Sequence, residues 1–329
     1  MRLQNLGYPV AGTYLEAVAR WTEAAWGWRS DPGASRLVTD VMSGVGHALS
    51  AVTDPGDPVL ITVPVYPPFH WVVKDIGREL VMVPLLTSGR LDLDALGDAM
   101  AAARRRAPRA ALLLASPHNP TGVAHTAAEL EAVMALADQH DVSVVVDEIH
   151  APLVLPGAEF VPVQTVSGGS RAISVISPAK GWNLAALKSA AIVPGADATA
   201  AMTRVPPLAS FSASHMAVQA HVAAMDHGAD WLADLVSDLG ANRSLLADLL
   251  AEHLPDARWQ PHEATYLAWL DLTAYGLGDD PAAALLDRAR VALNPGPSFG
   301  PGGEGFVRIN TATSPEILTE AIIRISAAL

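Results

Sequence analysis

From residue 59 onward the chain alternates between two kinds of hydrophobic pattern. Short apolar runs stand at 59–63, 80–83, 111–115, 142–146, 172–176 and 190–193. They are continuous rather than alternating, as expected of strands buried on both faces. Between them, at 93–105 and 126–140, apolar residues recur at helical spacing. The second of these helices opens with Thr126 and Glu129, a Thr-x-x-Glu capping box. Alternating strands and helices predict a mainly parallel sheet.

The two ends read differently. Gly7-Tyr8-Pro9 is a turn-like opening, and 13–26 carries Leu15, Val18, Trp21 and Ala25 at helical spacing. Residues 30–33 read as a loop. The stretch 35–52 starts polar and passes through Ser43-Gly44-Val45-Gly46 into a second helical pattern. Asp54-Pro55-Gly56-Asp57 is a turn. Residues 212–253 are largely helical, and from Tyr266, Ala268 and Leu270 the rhythm becomes that of a smaller unit. The expected architecture is a three-layer α/β/α large domain with a mainly parallel sheet, plus a smaller α+β C-terminal domain. The expected divisions are a turn and helix at 1–30, the large domain at 31–238 and the small one at 239–329. The boundary near residue 238 should fall within a long connecting helix.

The chain has 329 residues, 50% hydrophobic and 17% charged, enough for a large core. Its net charge of −13 disfavours nucleic acid or an anionic membrane as partner. A phosphorylated cofactor remains possible, because it needs only a local anion site. With no cysteine, disulfides, thiolate metal sites and cysteine nucleophiles are excluded. This composition fits a cytoplasmic protein. Residues 1–8 hold one arginine and no apolar core, so no signal peptide is expected. No apolar run is long enough to span a bilayer. The histidines are scattered, without His-Glu-x-x-His, and there is little support for a metal or hydrolase site.

Three polar segments lie directly after strand runs, where ligands bind in parallel sheets. The first is Ser177-Pro178-Ala179-Lys180. A lysine at a buried strand edge is costly to desolvate, and one use for it is attack on a carbonyl to form a Schiff base. Pyridoxal phosphate is the usual aldehyde held this way, and its ring nitrogen then needs an acidic partner. Asp147, at the end of the 142–146 run, is a candidate for that partner; a helix N-cap is the ordinary alternative. Asn119, between His118 and Pro120, could donate to the cofactor's phenolic oxygen, or simply make an Asn-Pro turn. Gly44, Val45 and Gly46, read as preceding a helix, could cradle a phosphate with backbone N–H groups, helped by Ser177 and Lys188. Tyr66, among prolines, could stack on the pyridine ring or pack in a core. Arg308, in an apolar run, suits a substrate carboxylate or a structural salt bridge.

The order of these parts carries more than any one of them. Phosphate loop, tyrosine, Asn-Pro turn, strand-end aspartate, lysine and late arginine together resemble the fold-type I, aspartate-aminotransferase-like pyridoxal phosphate enzymes. Pro64-Val65-Tyr66-Pro67-Pro68-Phe69, Ser116-Pro117-His118-Asn119-Pro120 and Asp147-Glu148-Ile149-His150 resemble the cystathionine β-lyase group often called MalY/PatB. The tail, from Glu263-Ala264-Thr265-Tyr266 through Asn294-Pro295-Gly296 to Arg308, is also similar to that group. Many aminotransferases of this fold carry a tyrosine at the position of His150.

The resemblance implies a pyridoxal 5′-phosphate-dependent carbon–sulfur β-lyase acting on an amino-acid substrate such as cystathionine. By it, Lys180 is the Schiff-base lysine and general acid/base. Asp147 pairs with the ring nitrogen, Asn119 with the phenolic oxygen, and Tyr66 stacks on the ring. His150, Ser177 and Lys188 belong to the cofactor site. Arg308, with Asn119, binds the substrate. Tyr8 matches a tyrosine that reaches the phosphate of the neighbouring subunit, which implies a homodimer. Members of the group ordinarily carry several dozen residues ahead of the position of Gly7, including an Asp-Met-Asp-Phe-like stretch near the substrate. This sequence has none, so the expectation is a shortened form or an open, altered substrate entrance. Two other readings stay open: an aminotransferase using the same residues, and a truncated non-catalytic or regulatory homologue.

Overall fold

The computed structural model describes residues 7–329; residues 1–6, and with them most of the segment expected not to be a signal peptide, lie outside the described residues. In chain order the elements are α1 (Ala11–Trp26), β1 (Arg36–Val38), α2 (Val41–Val52), β2 (Pro58–Val63), α3 (Pro68–Asp75), β3 (Glu79–Pro84), α4 (Leu93–Arg106), β4 (Ala111–Ala115), α5 (Ala127–His140), β5 (Ser143–Asp147), β6 (Ala172–Ile176), β7 (Ala190–Pro194), α6 (His215–His227), α7 (Ala229–His253), β8 (Arg258–Trp259), β9 (Leu267–Asp271), α8 (Pro281–Arg288), β10 (Asn294–Pro295), β11 (Phe306–Asn310) and α9 (Pro315–Ala327).

Seven strands form one sheet in the order β1-β7-β6-β5-β4-β2-β3. From β6 to β3 all neighbours are parallel, while β7 runs antiparallel to both β6 and β1. Successive strand residues point to opposite faces, and here both faces are covered. On one, Ile61, Leu113, Val145 and Val175 pack with Val45 and Leu49 of α2 and Phe69 of α3. On the other, Leu60, Leu112, Leu114 and Val144 meet Leu96 and Met100 of α4, and Leu130 and Val133 of α5. Each such fully buried side chain contributes about 1.5–3 kcal/mol of transfer free energy, which is why the central strand runs are apolar but for buried Thr62 and Ser174. The capping box is present: Thr126 N–H donates to Glu129 Oε2 at 2.8 Å and Glu129 N–H to Thr126 Oγ1 at 3.2 Å.

The stretch 35–52 departs from expectation. It splits into β1 and α2, and α2 starts earlier than its glycines suggest. Asp40 is the cap, its Oδ1 accepting from Ser43 N–H at 2.8 Å. Gly44, Val45 and Gly46 do not precede the helix; they lie buried inside it. Gly44 N–H is already bonded to Asp40 O at 2.9 Å. A Cβ on Gly44 would stand 2.8 Å from Val175 Cγ1 and 3.1 Å from Val38 Cγ2. These small residues let α2 lie close on the sheet, and they do not form a phosphate loop. The helix α3 was not anticipated either. Its prolines look like a loop in sequence, but Pro68 takes the first helical position, where no N–H is needed.

Residues past Leu254 build a four-stranded antiparallel sheet, β10-β11-β9-β8. Its core joins Leu270, Val307 and Ile309 to Leu246 and Leu250 of α7 and Leu318 and Ile322 of α9. Earlier in α7, Leu239 packs with Leu153 and Leu155 of the large unit. Helix α1 lies with the large unit too, Tyr14 and Val18 packing near Ile176 and Val218. Among the described residues no helix is long and apolar enough to cross a membrane, and no group of His, Asp and Glu is arranged to hold a metal ion.

Candidate active site

Strands β6, β5, β4 and β2 are parallel neighbours, so the segments that follow them emerge in a row along one edge of the sheet. Lys180, Asp147, Asn119 and Tyr66 come from those four segments. They line one cavity of about 530 Å³ together with Asp40, Val41, Met42, His150, Ser177, Lys188, Ser189, Tyr266, Asn294 and Arg308. The small unit supplies the last members: Tyr266 just before β9, Asn294 in β10 and Arg308 in β11.

Hydrogen bonds tie the loops together. Tyr66 N–H donates to Asn119 O at 3.0 Å. Arg308 Nη1 donates to Asn119 Oδ1, and Nη2 to Asn294 Oδ1, each at 2.9 Å. The guanidinium also sits 4.9 Å from the centre of the Phe299 ring. With Oδ1 of Asn119 occupied, its amide nitrogen keeps donors for another acceptor. Burial pulls the Arg308 pKa down from the usual arginine value, while Tyr266 and Tyr66 push it up. Arg308 Nε is buried without a hydrogen-bond partner, as is His150 Nδ1.

Asp147 is the last residue of β5 and is buried. Burial pushes its carboxyl up to about 7, against the Ile149 N–H and the charge of Lys180, which pull it down. One oxygen takes the Ile149 N–H at 3.0 Å, so the cap-like role and a free carboxylate oxygen coexist. Burial, with Lys180 and Arg308 nearby, holds the His150 imidazole down to about 3, so it is neutral near pH 7. Its ring meets Tyr266 edge-on at 6.1 Å. Glu148 is buried away from this set and accepts from Val163 N–H at 3.0 Å, a loop anchor.

Other expected members sit less simply. Ser177 reaches the cavity wall, but its hydroxyl donates to Ser189 O at 2.7 Å and accepts from Ala179 N–H at 3.2 Å, which shapes the turn leading to Lys180. Lys188 also reaches it, with Nζ 3.1 Å from Asp40 Oδ2. Gly44, Val45, Gly46 and Tyr8 do not line it. Tyr8 lies exposed on the surface, edge-on to Phe211 at 5.5 Å. Sequence reasoning missed Asp40, Ser189, Tyr266 and Asn294. For Asp40 a local signal exists, an aspartate three residues ahead of a serine at a helix start.

The donor set suits pyridoxal phosphate. Lys180 offers an amine for its aldehyde, Asp147 a buried carboxylate for its ring nitrogen, and Asn119 an amide donor. For its phosphate, the cavity offers Lys188 and the first N–H groups of α2, on Val41 and Met42, which lack helical acceptors.

A family model described as aminotransferase class I and II matches residues 7–325. The chain is 44% identical to a provisionally named cystathionine β-lyase of Mycobacterium leprae, over 99% of this chain and 85% of that one. It is 34% identical to the cystathionine β-lyase PatB of Bacillus subtilis, over 95% and 82%. Cystalysin from Treponema denticola, whose crystal structure contains a pyridoxal 5′-phosphate cofactor, matches with a TM-score of 0.90 at 26% identity, over 99% of this chain and 84% of that one. The row of strand-end residues and a match along nearly the whole sequence agree, and the chain belongs to the aminotransferase class I and II family.

Proposed function

We propose that the chain is a pyridoxal phosphate-dependent carbon–sulfur β-lyase that converts cystathionine, or another cysteine S-conjugate, to a thiol, pyruvate and ammonia. The observation that carries this reading is the convergence of Lys180, Asp147, Asn119 and Arg308 on one cavity. The names of the relatives from M. leprae and B. subtilis support the reaction. When bound, pyridoxal phosphate supplies an aldehyde for the amino group and a ring that accepts the electron pair left at the substrate Cα.

The chain's own residues do the rest. Arg308 takes the substrate carboxylate, with Asn119 and Asn294 holding its guanidinium in place. Lys180 would hold the cofactor aldehyde, and its amine is the base placed to take the substrate Cα proton. Asp147 would pair with the ring nitrogen and favour its protonated form. Asn119 would donate to the phenolic oxygen, and Tyr66 would stack on the ring. The Cβ–S bond then breaks, the thiol leaves, and the remaining enamine hydrolyses to pyruvate and ammonia. Neutral His150 and Tyr266 close the wall beside Lys180.

The second reading is an aminotransferase, supported by the family description and by a residue set common to both reactions. Cystathionine supplied without a keto acid separates them. Sustained, stoichiometric thiol, pyruvate and ammonia support the lyase. A single turnover that resumes only on adding a keto acid points to the aminotransferase. Borohydride reduction and peptide mapping should place the pyridoxyl group on Lys180; a label on Lys188 or Lys74 overturns the site. A protein that binds no cofactor would instead be a non-catalytic homologue.

The assembly we infer is a cytoplasmic homodimer in which exposed Tyr8 reaches the phosphate site of a second copy. Sedimentation showing a monomer with full cofactor occupancy would overturn the dimer. The packing of Leu239 and Leu246 in different cores supports a division near residue 238, inside α7.

A further inference from the structure

Where the proposed function puts the cofactor phosphate, the protein already supplies a negative charge. Asp40 stands on the cavity wall at the start of α2. Its Oδ1 accepts from Ser43 N–H at 2.8 Å, and its Oδ2 lies 3.1 Å from Lys188 Nζ. A helix-end N–H and a lysine ammonium are the groups a phosphate seeks. Ser177 offers no replacement, because its hydroxyl donates to Ser189 O at 2.7 Å. The side chains of Lys188 and Asp40 are 60% and 30% exposed. An ion pair this wet is held weakly, so an incoming anion can open it. A phosphate bound here must share Lys188 with a carboxylate and sit beside a like charge.

We propose that Asp40 sets how tightly the phosphate end of the cofactor is held. It acts as an internal anion that competes for Lys188 and repels the phosphate, so the cofactor is exchangeable. The inference rests on the reading of this cavity as a pyridoxal phosphate site. Asp40→Asn removes the charge and keeps the cap, since asparagine, aspartate and serine cap helices about equally well. Asp40→Ser does the same with a different side chain.

The test is to strip the protein of cofactor and titrate wild type, Asp40→Asn and Asp40→Ser with pyridoxal 5′-phosphate and with pyridoxal, which lacks the phosphate, following the imine absorbance. Pyridoxal 5′-phosphate should bind both variants at least about tenfold more tightly than wild type, on the order of 1.4 kcal/mol. Pyridoxal should bind all three alike. Equal or weaker binding of pyridoxal 5′-phosphate by both variants overturns the inference and assigns Asp40 to aiming Lys188 at the phosphate. If neither aldehyde forms an imine in any of the three proteins, the cofactor reading fails and the inference falls with it. That outcome is distinct from imine formation with equal affinities.

Discussion

Asp147→Asn separates the charge of the carboxylate from its hydrogen bond. An asparagine carbonyl can still accept the Ile149 N–H, which lies 3.0 Å from Oδ1, so the loop geometry is retained. Only the negative charge goes. Without cofactor that charge is a burden, because burial pushes the carboxyl from 3.8 up to about 7. Across that interval the folded chain holds a proton that the unfolded chain has released. Stability from this group is therefore complete below about pH 4 and is lost as pH rises through about 7. Roughly three pH units at about 1.4 kcal/mol each give an upper bound on the order of 4 kcal/mol. Glu148, also raised to about 7 by burial, titrates in the same window and leaves part of the slope in the variant. Cofactor-free Asp147→Asn should thus resist urea better than wild type near about pH 8 and match it near about pH 4. Loaded with cofactor, the same variant should lose at least about a hundredfold in turnover, or about 2.7 kcal/mol on the barrier, since a neutral amide does not hold a proton on the ring nitrogen. Urea melts of the stripped protein and steady-state pyruvate release measure the two effects. Near-normal turnover would reduce Asp147 to a loop cap. A variant no more stable than wild type at the higher pH would refute the burial argument.

Arg308→Lys should raise KM for cystathionine by about tenfold or more, because hydrogen bonds to a charged group are worth about 1.5–3 kcal/mol and lysine cannot hold Asn119, Asn294 and a carboxylate in one planar fork. An unchanged KM would remove Arg308 from the substrate site. Gly44→Ala should lower the urea midpoint and leave cofactor affinity unchanged. Overpacking against Val175 and Val38 costs about 1–3 kcal/mol, and the better helix propensity of alanine returns at most about 1 kcal/mol. A rise in stability, or a loss of cofactor binding in a fully folded variant, would contradict the packing role.

The sequence alone determined the elements whose signals are local. The strand runs at 111–115 and 172–176 are β4 and β6 residue for residue, because a continuous apolar run with both faces buried has no other use in a parallel sheet. The capping box marked the start of α5, since both its bonds lie within four residues. Lys180, Asp147, Asn119 and Tyr66 were legible because each follows a strand run, and the ends of parallel neighbouring strands meet by topology. Tertiary structure decided the rest. Three-residue β1 is too short to show a period; pairing with β7 makes it a strand. Gly44 is small because Val175, far along the chain, lies beneath it. The Asp40–Lys188 pair and the Arg308–Asn119–Asn294 clamp join residues that no spacing rule connects. Their contacts depend on how the small unit sits over the sheet edge and on where α2 begins, and both are fixed by packing between segments distant in sequence.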